Sequence, residues 1–287
     1  MEPRMAPENY QGGNTMRIQH NIAAMNSYRN LTNNNSALSK NLEKLSSGYR
    51  INRAGDDAAG LAISEKMRAQ ITGLEAAQKN ANDAISLVQT AEGALTEVHS
   101  MLNRMVELSI QSANGTYDNE VDRANLQQEV DQLLEEIDRI ADTTNFNGIK
   151  LLGGTYNGTL QIGDTAEAIN QLSVPISATG VNGLNLDGLN IETQATASAA
   201  VQTIKDAINL VSQIRGKLGA TQNRLEHTIN NLSVQTENIT AAESRIRDVD
   251  MADEMMAYTK NNILVQASQA MLAQANMVPQ GVLQLLQ

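Results

Sequence analysis

The sequence contains no cysteine and no tryptophan, and only one phenylalanine and four prolines among its 287 residues. Without cysteine there can be no disulfide, no thiolate metal site and no cysteine nucleophile. Aromatic residues make up 2% of the chain, so the side chains that usually dominate a globular core are missing. A core here must be built from Leu, Ile, Val and Ala interleaved between close helices. The formal net charge of −11 argues against nucleic acid as a partner, since that binding rests on basic side chains neutralising phosphates. No run is long and apolar enough to cross a membrane, so no membrane insertion is expected. Residues 1–15 are polar, with Pro3, Pro7, Gly12 and Gly13, and lack the apolar centre of a signal peptide.

Two long heptad patterns fill the space left by these absences. Leu74, Ala77, Ala81, Ala84, Val88, Ala91, Leu95, Val98, Leu102 and Met105 alternate three and four residues apart. Ile204, Val211, Leu218, Leu225, Leu232, Ile239 and Ile246 recur at every seventh position. Such spacing makes one narrow apolar stripe along a helix, and the stripe needs a partner helix to cover it. The second helix would run roughly 60 Å at 1.5 Å per residue, long for a compact domain. The pattern reads as a rod built to assemble.

Helices are expected at about 18–47, from Asp56 to about Asn114, from Asp118 onward, at about 195–246 and at 251–287. Gly48 is placed to end the first in a left-handed conformation. Gly55 and Asp56 are placed to start the second, where an Asp accepts free N–H groups. On the third, Leu126, Val130, Leu133, Ile137 and Ile140 make a short seam. Between Asn145 and about Asn190 helical spacing disappears. Asn157-Gly158, ahead of Thr159-Leu160-Gln161-Ile162, predicts a two-residue hairpin turn, and Ser173 to Ile176 a further short strand. Val278, Val282, Leu285 and Leu286 keep the last segment apolar to its end, where chains are usually solvated. The ends also differ in charge. Basic residues lead between Met16 and Gly60, and acidic ones from Arg247 onward, which favours pairing of the two ends.

No catalytic constellation emerges. His20, His99 and His227 fall on different segments without carboxylates at ligand spacing, and no zinc motif, Walker loop or nucleophile elbow occurs. Asp56-Asp57 reads as helix capping, and Gly153-Gly154 as a loop. No enzyme activity, metal or cofactor is expected.

The stretch Leu45-Ser46-Ser47-Gly48-Tyr49-Arg50-Ile51-Asn52-Arg53-Ala54-Gly55-Asp56-Asp57-Ala58-Ala59-Gly60-Leu61-Ala62-Ile63 closely resembles bacterial flagellin, the subunit family of the flagellar filament. Met16 to Leu31 (MRIQHNIAAMNSYRNL), Val106 to Asn114, Leu133 to Leu152 and Ala275 to Leu286 (ANMVPQGVLQLL) agree with it in the same order. The short middle marks a form without the outer variable domains. Residues 1–15 have no counterpart in the family and read as a disordered leader or a misplaced start before Met16.

The resemblance implies a mainly α fold: a long antiparallel coiled-coil helical rod with a small β-hairpin region and paired N- and C-terminal helices. It implies an inner domain of residues 16–58 with 247–287, ordered only in the polymer. Residues 59–246 would form the rod domain, with the hairpin region at about 143–190. Filament assembly would use Leu31, Leu38, Leu42 and Leu45 on the first helix. On the last it would use Ile263, Leu264, Val278, Val282 and Leu285. Implied partners are further copies of the chain, an export chaperone, the flagellar type III export apparatus, and the hook-junction and cap proteins. The implied location is the extracellular flagellum. The host Toll-like receptor for flagellin would grip Arg104, Leu108 and Glu129. The spacing of Arg104 and Leu108, off the Leu102/Met105 stripe, is compatible with an outward position for both; the other reading packs Leu108 against the helix after Asp118, with Arg104 in a surface ion pair. A hook–filament junction protein is the nearer alternative, and a cytoplasmic coiled-coil scaffold the more distant one.

Overall fold

The computed structural model describes residues 21–285 except 120 and 155, with the side chains at 279 and 282–285 left out. The leader at 1–15, the first residues of the initial helix, His20, and the side chains of Val282 and Leu285 therefore lie outside the described residues. Five helices are present among the described residues: α1 (Ile22–Ser47), α2 (Ala58–Ser112), α3 (Asp122–Thr143), α4 (Gln194–Arg247) and α5 (Met251–Leu285). Four short strands form two antiparallel pairs. These are β1 (Asn145–Phe146) with β2 (Ile149–Lys150), and β3 (Asn157–Gln161) with β4 (Gln171–Pro175). The chain divides into two compact units, residues 66–242 and residues 1–65 with 243–287.

In the unit 66–242, every one of the ten α2 positions of the predicted stripe is buried. On α4, Ile204, Val211, Leu218, Leu225 and Leu232 are buried, and Ile239 is half-buried. The helices run antiparallel, with Leu74 and Ala77 clustered on Leu232, and Glu92 3.5 Å from Arg215. Val130 and Ile137 of α3 join the same core. Leu151, Leu152, Leu184, Leu186 and Ile191, from the irregular region after α3, close it. Ala at α2 seam positions keeps the side-chain layer thin, so packing proceeds without aromatic bulk.

Polar groups tie α3 to its surroundings. Arg123 is buried; its guanidinium donates to the carbonyls of Ser112 at 2.8 Å and Asn114 at 2.9 Å and to Asn119, closing the α2–α3 turn. Gln127 accepts from the Ile191 N–H at 2.7 Å and donates to the Leu189 carbonyl at 3.1 Å. Asp138 accepts from the Val181 N–H at 2.7 Å. A non-helical run packed on a helix must satisfy its backbone groups in this way.

The predicted hairpin turn is corrected. Asn157 and Gly158 lie inside β3, opposite Pro175 and Val174. The two-residue turn is at Asn147-Gly148, where φ is 51° and 81°, between the paired Phe146 and Ile149. Both Asn-Gly pairs tolerate positive φ, and partner availability decides between them: β3 finds its partner in β4. Gly158 is also crowded by a side chain that a larger residue would have to displace. A Cβ there would lie 2.2 Å from the Tyr156 hydroxyl. The strand expected at Ser173–Ile176 is β4, shifted by about one or two residues.

In the other unit, α1 packs antiparallel on α5. Asn21 donates to the Ala275 carbonyl at 2.7 Å, Asn34 to the Ser268 hydroxyl at 3.0 Å, and Lys44 lies 3.8 Å from Glu254. The last of these is the pairing of opposite charge that the two ends predicted. Asn21 caps α1 through the Ala24 N–H, and Gly48 ends it at φ 75° as expected. Asp57, rather than Asp56, caps α2, accepting from the Gly60 N–H at 2.9 Å. Asp56 instead accepts from the backbone N–H groups of Arg53 and Asn52, which hold its carboxyl below the usual carboxylate range.

Candidate interaction surfaces

Along the middle of the covered face of α1 residues step by three and four: Ala24, Ser27, Leu31, Asn34, Leu38, Asn41 and Leu45, with Ala37, Glu43 and Lys44 half-buried beside them. Those of α5 follow the same rule: Glu254, Tyr258, Asn261, Val265, Ser268, Leu272 and Ala275, flanked by the half-buried Ala257 and Asn262. Each seam therefore mixes apolar with polar side chains. A polar residue at such a position fixes register at a cost in stability. The Asn41 amide nitrogen is buried with no hydrogen-bond partner, which adds to that cost.

Of the residues predicted for assembly, Leu31, Leu38 and Leu45 are half-buried on the α1 seam. Leu42 is 55% exposed and does not share their face, because Asn41 takes the seam position beside it. Ile263, Leu264 and Val278 are exposed, off the α5 seam. Met255, Met256, Met271 and Met277 are exposed with them and were missed by sequence reasoning. The signal that could have found them is the absence of any charge between Asn261 and Leu285. A helix with apolar residues on all sides is normally buried. Among the described residues, α1 packs along one face of this one.

Where α1 gives way to α2 and α4 to α5, the backbones are tied directly. Tyr49 bridges Asp248, the Val249 N–H donates to the Gly48 carbonyl at 3.1 Å, and the Arg247 guanidinium lies 4.7 Å from the centre of the Tyr49 ring. Arg247 also lies 2.8 Å from Glu65.

The second surface is on α2 and α3. The structure brings Arg104 and Glu129 together, with Arg104 Nε 2.8 Å from the Glu129 carboxylate and Nη1 3.1 Å from that of Glu107. These two carboxylates, Glu129 first, raise the Arg104 guanidinium above its ordinary range, and all three side chains are exposed. Of the two readings of Leu108 the structure shows the packed one, not the outward one: it is 0% exposed. One turn beyond Arg104, it lies in the same apolar core as Val130 and Leu126 of α3. A second helix laid on α2 widens the buried face beyond the single heptad stripe.

Among the described residues no cluster of His, Asp or Glu could hold a metal ion, and no helix is long and apolar enough to cross a membrane. His99 is half-buried and His227 exposed, on different helices.

Long paired helices with two small antiparallel strand pairs define a mainly helical class of protein. Residues 18–157 match the bacterial flagellin N-terminal helical region, and residues 201–286 the C-terminal helical region. The chain is 55% identical over 305 residues to flagellin of Bacillus subtilis, covering 94% of this chain and 100% of that protein. It is 49% identical over 286 residues to the flagellar filament 33 kDa core protein of Treponema phagedenis, again covering 94% and 100%. The crystal structure of Bacillus cereus flagellin aligns with 34% identity and a TM-score of 0.49, over 57% of this chain and 94% of that one. The chain belongs to the bacterial flagellin family, a family of structural subunits of the flagellar filament.

Proposed function

We propose that this chain polymerises into an extracellular flagellar filament that drives motility, and that residues 16–58 with 247–287 are the inner assembly domain. The observation that carries this reading is α5: no charge from Asn261 to Leu285, and apolar side chains exposed on the faces that α1 leaves open. Neighbouring copies would cover those faces and repay a helix pair that is marginal alone. Residues 59–246 would then be the rod domain, contacting neighbours along the filament. A chain that is weakly folded at both ends suits export through the flagellar type III apparatus, with a chaperone shielding α5 and the hook-junction and cap proteins bounding growth.

Purified protein beginning at Met16, added to filament seeds, is expected to elongate them without limit. In dilute solution, protease is expected to remove both ends and leave a core near 60–245. A thin ring in place of growth would mark a hook–filament junction protein. Resistant termini with no growth would mark a coiled-coil scaffold.

The exposed Arg104–Glu129 pair is the proposed contact for the host Toll-like receptor. Leu108, lying beneath the surface, would contribute by holding α2 against α3, or would have to emerge on binding. In folded monomer, Arg104→Ala is expected to weaken receptor binding by roughly tenfold or more, the loss typical of an interface Arg whose removal costs more than about 1.4 kcal/mol. Unchanged affinity in a surface-binding assay would remove Arg104 from the contact.

A further inference from the structure

The chain has twelve methionines, and their exposure is uneven. Met25, Met251, Met255, Met256, Met271 and Met277 are exposed, from 48% at Met251 to 64% at Met256, and all lie in the terminal-helix unit. In the other unit Met105 is fully buried, and Met67 and Met101 are half-buried. With no cysteine in the chain, thioether sulfur is the only sulfur a peroxide can reach. Among the described residues, five of the six exposed thioethers stand on α5, the helix that the assembly reading assigns to burial between copies.

We propose that the exposed methionines of α5 form a reversible oxidation site that controls whether a subunit can join the filament. The inference rests on the assembly reading above. In the reaction, a sulfur lone pair attacks one oxygen of hydrogen peroxide. The S–O bond forms as the O–O bond breaks, sulfur loses two electrons, and the second oxygen leaves as water with both protons. The product sulfoxide is a polar, chiral group in place of a flexible apolar one. At Met271 and Met277, between Asn261 and Leu285, the helix offers it no charged partner, and at all five a neighbouring subunit closing over that face would strip its water. Enzymatic reversal consumes two thiols, which become a disulfide, and the oxygen leaves as water. Once the face is covered in a polymer, the same sulfurs are out of reach of peroxide. The site therefore acts on the unassembled chain. Met105, inside the other unit, is spared under the same exposure.

The test uses the full chain. It is treated with hydrogen peroxide, the peroxide is removed with catalase, and sulfoxides are mapped by peptide mass spectrometry. Elongation of filament seeds is then followed by light scattering and electron microscopy. Sulfoxide is expected at Met251, Met255, Met256, Met271 and Met277 before Met105, with elongation slowed about tenfold or more, the effect of one buried polar group left unsatisfied. Methionine sulfoxide reductases of both epimer specificities, with a dithiol, are expected to restore the untreated rate. A variant with those five residues changed to Leu is judged by its own treated-to-untreated ratio, expected near one whatever its basal rate. If that variant does not elongate, recovery by the reductase decides alone. Oxidised wild-type protein growing at the untreated rate, or a loss the reductase cannot reverse, overturns the proposal. Failure of the untreated chain to elongate is seen before any peroxide is added, and it overturns the assembly reading and this inference together.

Discussion

Ile263→Asp is expected to stop filament growth while leaving the free chain folded as before. Ile263 is 61% exposed on α5, off the seam that meets α1. In a single chain the new carboxylate stays in water, and exposed substitutions of this kind change stability by only about ±0.5 kcal/mol. In a polymer the same carboxylate would be enclosed by a neighbour. The one positive charge of α5 near it is Lys260, three residues before, and such a pair on a helix offsets only about 0.2–0.5 kcal/mol. Burying an unpaired charge costs several kcal/mol, and a cost of about 3 kcal/mol at each subunit contact would slow net growth on the order of a hundredfold. Sedimentation of seeded mixtures measures the growth, and far-UV circular dichroism checks that helix content is retained. Filaments of wild-type length from the Asp variant would show that the outer face of α5 stays in solvent, and the assembly reading would lose its main support.

The second large effect concerns the unit 66–242. Leu95→Ala is expected to destabilise it by about 3–5 kcal/mol, since deleting buried methyl groups forfeits their transfer energy and leaves a cavity. Leu95 is fully buried in the middle of the α2 stripe, within the core shared with α3 and α4. Its neighbours on that stripe, Ala91 and Val98, are too small to fill the gap. For a unit of this size each kcal/mol shifts the midpoint by roughly 2–4 °C, so the melting temperature should fall by roughly 6–20 °C. Val234→Ala, on an exposed position of α4, should leave it nearly unchanged. A thermal melt of both variants, followed by circular dichroism, makes the comparison. Equal melting temperatures would mean that the heptad stripe is not what holds the helices together.

The amino-acid sequence alone determined the helices and their buried stripes, because a repeat of three and four residues leaves one set of side chains facing a partner whatever the partner is. Leu74 through Met105, and Ile204 through Leu232, were legible for that reason. The end of α1 at Gly48 was legible as well, since left-handed backbone favours glycine regardless of what lies nearby. Choices among equivalent local signals were not. Asn147-Gly148 and Asn157-Gly158 satisfy the same turn rule, and only the pairing of β3 with β4 made the second a strand. Asn41 in place of Leu42 on the seam with α5, and Leu108 inside rather than outside, were likewise decided by tertiary structure. Burial depends on what a second helix covers, and α3 and α5 meet these positions across distances in sequence that no local pattern records.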